Sequence, residues 1–147
     1  MLIESTGSVL PFSCEQVFDV AADIERYPEF LPGWRSARIL RRQSNICFVE
    51  QVLALGFLRV QIATEAVLLR PSRIDISSSD GRFRAFSCSL RIAAAGSGGC
   101  TLTIQAQLTL RSALLQQVLN RARLMSFDGL LSAYEARVHQ IYSGNQR

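Results

Sequence analysis

The stretch SCEQVFDVAADIERYPEFLPGW, residues 13–34, decides what kind of fold the chain can adopt. It opens on Ser13 and, three residues later, Gln16, the spacing of a capping box in which each side chain serves the other's backbone N–H. Val17, Phe18, Ala21 and Ile24 follow at three- and four-residue steps, which is one apolar face of a short helix. Then the period breaks. Pro28 and Pro32 each lack an N–H and clash with the turn before them, and the residue preceding each is driven towards extended geometry. Tyr27, Phe30, Leu31 and Trp34, the only tryptophan, crowd around these prolines. The expectation is a short helix running into a bent, partly exposed element that carries large apolar side chains.

On either side of this stretch the chain reads differently. Residues 2–10 (LIESTGSVL) read as a strand, and from Trp34 to about Arg111 the pattern takes period two, with turn residues between runs. In FLRVQIATEAVLL the positions Leu58, Val60, Ile62, Ala66 and Leu68 are apolar, with Thr64 as the interruption, while Arg59, Gln61 and Glu65 fall on the other face. Cys100, Leu102, Ile104, Ala106, Leu108 and Leu110 repeat that phase, and so do Phe86, Cys88, Leu90 and Ile92. One buried and one wetted face is the antiparallel signature. Turns are expected at Ser78–Arg82 (SSDGR) and Gly96–Gly99 (GSGG), rich in residues that tolerate positive φ. From Ser112, a plausible N-cap, to about Ile141 the helical period returns, with Leu115, Val118, Leu119, Ala122, Met125, Leu130, Tyr134 and Val138 along one stripe. The class is therefore α+β: a strand, a small helical insert, about six antiparallel strands and one long C-terminal helix. A single helix across a wide, twisted sheet leaves apolar space at its ends, the kind of space that takes small molecules.

Composition narrows the function. The 147 residues suit one domain spanning 1–147, with 48% hydrophobic and 19% charged residues. The longest apolar run, Val52–Leu58, is far short of the roughly 18 residues a membrane span needs, and MLIESTG has neither a basic nor an apolar leader region. A cytoplasmic protein is expected. All sixteen basic residues are arginine and the net charge is +4, yet only Arg41 and Arg42 are adjacent, so neither a basic helix nor an aromatic-basic nucleic-acid motif exists and DNA is not expected as a partner. Cys14, Cys47, Cys88 and Cys100 show no CxxC spacing, so buried free thiols are expected rather than a disulfide or a metal site.

Catalysis finds few candidates. His139, the only histidine, falls near the end of the last helix, where an exposed place is expected. Asp75, Asp80 and Glu65 fall in turns or outward positions. Glu50 shares a face with Phe48, Val52 and Ala54, which leaves it either an edge-strand residue or a pocket carboxylate. Cys88 faces inward between Phe86 and Leu90 as a space-filling thiol. No glycine-rich phosphate loop and no nucleophile elbow is present. The expectation is a binding protein, not an enzyme, without a cofactor.

The block EQVFDVAADIERYPEFLPGW, Glu15–Trp34, resembles the START-like helix-grip proteins, in the branch that holds coenzyme Q-binding proteins, polyketide cyclases and the bacterial ribosome-association toxin. LGF at Leu55–Phe57, DGRF at Asp80–Phe83 and LRSALLQQVLN opening the last helix echo it in the same order. Gly33 departs from the pattern by displacing Trp34 one step. The resemblance implies a curved seven-stranded antiparallel sheet gripping the C-terminal helix, with two short helices after the first strand. It also implies a hydrophobic cavity for ubiquinone or another isoprenoid lipid, whose binding and delivery support respiration or quinone biosynthesis. Tyr27, Phe30, Leu31 and Trp34 are then the rim, with Leu31 and Trp34 as its lid. Phe57, Val60, Phe86, Leu90, Leu119 and Met125 complete the ligand-binding set. Arg26 and Arg35 beside the rim suit transient contact with the inner membrane surface. The alternatives are a factor that binds the large ribosomal subunit through Arg35, Arg38, Arg41, Arg42 and Arg59, and a polyketide cyclase-like enzyme.

Overall fold

The computed structural model describes residues 2–55, 58–78, 81, 83–114, 116–117 and 127–143. Its strands are β1 (Leu2–Thr6), β2 (Trp34–Gln43), β3 (Ile46–Leu55), β4 (Leu58–Leu69), β5 (Arg73–Ser77), β6 (Phe83–Ala94) and β7 (Cys100–Leu110). They form a seven-stranded sheet in the order β1-β7-β6-β5-β4-β3-β2, every neighbour antiparallel. The strands expected between Trp34 and Arg111 are those six, β2 to β7. Register shifts between Trp34 and Ser36, Ile39 and Arg41, and Phe83 and Ala85 bend the sheet, as bulges do.

The first strand is shorter than its sequence suggests. Gly7 still donates to the Leu102 carbonyl at 3.0 Å, pairing then lapses, and it resumes at Leu10, which exchanges hydrogen bonds with Cys100 at 2.7 and 3.0 Å. That crossing is tight. A Cβ on Gly99 would stand 2.2 Å from the Leu10 carbonyl oxygen, so only glycine fits in the turn before β7.

The helical insert forms as its spacing dictates. In α1 (Cys14–Ala22) the Ser13 hydroxyl accepts from the Gln16 N–H at 3.1 Å and the Gln16 side chain accepts from the Ser13 N–H at 3.0 Å. Val17, Phe18, Val20 and Ala21 are buried. The chain then tightens into a 3₁₀ helix, Ile24–Glu29, which ends on the residue after Pro28. Gly33, at φ +86°, turns the chain, and its carbonyl accepts from the Ala54 N–H at 2.7 Å, docking this segment on the end of β3. The insert thus spans from one edge strand, β1, to the other, β2.

A helical turn begins after Ser112, whose carbonyl accepts from the Gln116 N–H at 3.0 Å. The expected stripe positions Leu115, Val118, Leu119, Ala122 and Met125 lie outside the described residues. The helix α2 (Phe127–Ser143) buries Leu130, Leu131, Tyr134 and Val138. It packs on α1, β1 and β7, while α1 packs on β5, β6 and β7.

Period two chose the inner face correctly on β4, β6 and β7, where Ile62, Thr64, Ala66, Leu90, Ile92, Leu102, Ile104, Ala106 and Leu108 are buried. On β3 the inner positions are Cys47, Val49, Gln51 and Leu53, the opposite phase from Glu50. Glu50 is no pocket carboxylate. It lies on the outer face and pairs with Arg38 at 3.5 Å, while the neighbouring Phe48 carries the Arg41 guanidinium 4.0 Å above its ring.

Candidate functional site

A cavity of about 60 Å³ lies between the concave face and α2. Its wall is mostly aliphatic and aromatic, with Leu53, Ile62, Ile76, Phe86, Leu90, Ile104 and Leu108 from the sheet and Leu130 from α2. Every one of those inner-face residues follows from strand alternation, which turns each second side chain the same way.

Ser87, Cys88 and Gln107 and two hydrogen-bonded sets of polar groups interrupt this surface. In the first, the Trp34 indole N–H donates to Gln51 Oε1 at 2.6 Å, and Gln51 Nε2 donates to Thr64 Oγ1 at 2.9 Å. Gln51 and Thr64 are the buried polar residues among those described, at 7% and 5% exposure, and both line the cavity. In the second set, Tyr134 on α2 hydrogen-bonds to the Tyr27 hydroxyl, which itself donates to the Ala21 carbonyl at the end of α1. The rings of Tyr27 and Tyr134 meet edge-on at 5.6 Å.

Burial pushes the titratable groups Tyr27, Cys88 and Tyr134 of this wall further towards their protonated forms. Desolvation pushes the Tyr27 hydroxyl well up, against a smaller opposing effect of its bond from Tyr134. Tyr134 rises for the same reason, with Tyr27 adding to it. The Cys88 thiol is pushed up to about 12, first by desolvation and then by the charge of Asp75. What surface Cys88 still has faces the cavity rather than bulk water. Such a wall can donate and accept hydrogen bonds. It holds no carboxylate or imidazole among its described residues.

Of the residues singled out from sequence, the structure brings Tyr27, Trp34, Phe86 and Leu90 to the cavity. Leu31 is elsewhere: at 3% exposure it is a core residue, drawn under the insert by the hydrogen bond from its own N–H to the Tyr27 carbonyl at 2.8 Å. Phe30 lies behind the tyrosines, edge-on to both, and its outer face meets the Arg137 guanidinium at 5.2 Å. Val60 packs with Leu53, Ile62, Phe83 and Leu108 in a second cluster behind the wall; three of those partners line the cavity, and Val60 itself does not. Phe57, Leu119 and Met125 lie outside the described residues. The proline-aromatic segment is partly exposed, as expected, with Phe30 and Trp34 half-buried and Pro32 and Gly33 exposed, while Tyr27 and Leu31 turn inward as a plug and Arg26 beside them is paired with Asp23 and Glu29. Sequence reasoning missed Gln51 and Tyr134 as site residues and passed over Thr64 as a mere interruption. The signal for Gln51 was faint, because β3 is apolar in both phases.

His139 is exposed, its ring edge-on to Phe12 at 5.0 Å. All four cysteines are free thiols. No group of three or more metal-ligating side chains occurs among the described residues, and no helix there is long and apolar enough to cross a membrane.

Residues 10–126 match the family described as polyketide cyclase / dehydrase and lipid transport. The chain belongs to that family. The ribosome association toxin RatA of Pseudomonas aeruginosa is 24% identical over 136 residues, covering 92% of this chain and 94% of the toxin. The structure is similar to that of the Zhui aromatase/cyclase from Streptomyces sp. R1128, with a TM-score of 0.79 at 14% identity over 99% of this chain and 98% of the cyclase. It is also similar to a START superfamily protein of Mycobacterium smegmatis, with a TM-score of 0.75 at 16% identity over 95% of this chain and 98% of that one. The expected helix-grip architecture is the one found, a curved seven-stranded sheet with the C-terminal helix on its inner face.

Proposed function

We propose that this polyketide cyclase / lipid transport family member binds and delivers an apolar small molecule, an isoprenoid quinone or related lipid, in the cavity between sheet and α2. The observation that carries the reading is the wall itself: a nearly continuous apolar surface, interrupted only by neutral hydrogen-bonding groups and charged nowhere among its described residues. A flat ring with a hydrocarbon tail suits it, each buried CH₂ contributing about 0.8 kcal/mol. Ligand pockets usually measure about 300–1,000 Å³, so binding must widen the present space of about 60 Å³. The parts that would move are the Trp34 turn and α2, which packs on α1, β1 and the lining strand β7. The test is native mass spectrometry with lipid extraction, on protein purified from its own host without detergent. A quinone or isoprenoid at near one per chain is the expected result. A protein that carries nothing and takes up no apolar ligand overturns the reading.

A second reading has its own observation. The RatA relative aligns over nearly its whole length, and β2, an edge strand, exposes Arg35, Arg38, Arg41 and Arg42, with Arg59 exposed on β4. Guanidinium groups so placed suit rRNA phosphates. Co-sedimentation with large ribosomal subunits that falls steeply with salt, and is lost when those arginines are replaced by glutamine, supports it. Salt-independent binding or none removes it. A cyclase-like reaction is the weakest reading, since the tyrosines and Cys88 are held protonated.

A further inference from the structure

The polar set at one end of the cavity has a direction. An indole N–H donates and never accepts, so its contact with Gln51 Oε1 at 2.6 Å fixes which way the amide faces. Gln51 Nε2 must then be the donor to Thr64 Oγ1 at 2.9 Å. Thr64 therefore spends an acceptor lone pair on Gln51 and keeps its own proton. Among the described residues no acceptor meets that proton or the second N–H of Gln51, although both side chains are more than nine-tenths buried and line the cavity. The other polar set offers no such donor, because the Tyr134 proton goes to Tyr27 and the Tyr27 proton to the Ala21 carbonyl. Both atoms already have one partner, so neither is orphaned, but each keeps a further proton, and a ligand that brings an acceptor gains the bond.

We infer that the site selects apolar molecules bearing a neutral acceptor oxygen, a ketone or quinone carbonyl, seated against Thr64 and Gln51, and that Trp34 sets this preference by holding the amide in one orientation. The inference rests on the proposed binding role and sharpens it. Trp34 is a positioning residue here. It need not touch the oxygen, yet without its N–H the amide is free to turn its own carbonyl into the cavity and repel the ligand's.

A matched pair of probes separates the two ideas: 1-tetralone and tetralin, the same two-ring skeleton with and without a carbonyl, titrated by calorimetry. Wild type is expected to bind tetralone about tenfold more tightly than tetralin, the worth of one net hydrogen bond. Thr64→Val, a substitution that suits a strand, should erase the preference by bringing the ratio of tetralone to tetralin affinity close to one. Trp34→Phe keeps an aromatic ring but not the donor, and should likewise reduce the ratio of the two affinities. If Thr64→Val does not fold, Trp34→Phe and the wild-type ratio still decide. Equal affinity of wild type for both probes, or a ratio unchanged in the variants, overturns the inference while leaving the binding role standing. Failure of wild type to bind either probe overturns both.

Discussion

Leu31 and Trp34 lie three positions apart around Pro32, and the sequence presents them as equals, yet the structure separates them. Leu31 is 3% exposed within the main core, whereas Trp34 is half-buried with its ring on the cavity wall. Leu31→Ala should therefore act as a core truncation, lowering unfolding free energy by about 2–5 kcal/mol in denaturant titration with little direct effect on ligand affinity. Trp34→Ala should do the reverse: the fold survives and affinity for an apolar ligand such as a short-chain quinone falls. Wild-type affinity in Trp34→Ala would sink the placement of the ligand beside the indole. Gly99 makes a third case, in which backbone rather than side chain decides. A methyl group 2.2 Å from the Leu10 carbonyl cannot be accommodated by a rotamer change, so Gly99→Ala should cost at least about 2 kcal/mol by parting Leu10 from β7.

The helix α1 shows how much local sequence can specify. Ser13 and Gln16 close the box that their spacing announces, with both hydrogen bonds near 3 Å. Ser13→Ala should destabilise the protein by about 1 kcal/mol, and Ser13→Asp should restore most of it, as read from urea midpoints. An equal loss in both variants would mean the cap bond contributes nothing. The same local logic identified the strands β4, β6 and β7, because each has one apolar phase and one polar phase. It failed on β3, where Cys47, Val49 and Leu53 alternate with Phe48, Val52 and Ala54, so hydrophobicity cannot say which face turns in. Contacts from distant residues decide it: Gln51 is drawn inward by Trp34 and Thr64, and Glu50 outward by Arg38. The bend after α1 was legible from Pro28 and Pro32, but the direction its aromatic side chains take was not. That direction depends on Tyr134, more than a hundred residues away, which meets Tyr27 and Phe30 edge-on. A site assembled from strands, insert and C-terminal helix is set by these long-range pairings, which period and propensity do not report.

Because sheet, insert and α2 all contribute to one mostly apolar cavity, the protein as a whole should respond to alkali in a particular way. Cys88, Tyr27 and Tyr134 are acids whose folded pKa values lie above their ordinary ones, chiefly through desolvation. The folded protein thus holds these protons more tightly than the unfolded chain. Below about pH 9 both forms keep them, and the full stability is present. Above the ordinary value of 9.0 for Cys88 and 10.0 for the tyrosines, the unfolded chain releases protons that the folded one retains, so stability falls as pH rises. For Cys88 the loss continues until about pH 12. Denaturant midpoints should be level from pH 7 to about 8.5 and then fall steadily to pH 11. Cys88→Ala should lessen the earliest part of that fall, to which the Cys100 thiol, pushed up to about 11 by burial, also contributes, and Tyr134→Phe should lessen the part above pH 10. A midpoint that holds constant to pH 11 would mean that water reaches these groups in the folded state. In that case a cavity able to strengthen the bond between Thr64 and a ligand carbonyl does not exist either, because both effects depend on the same exclusion of solvent.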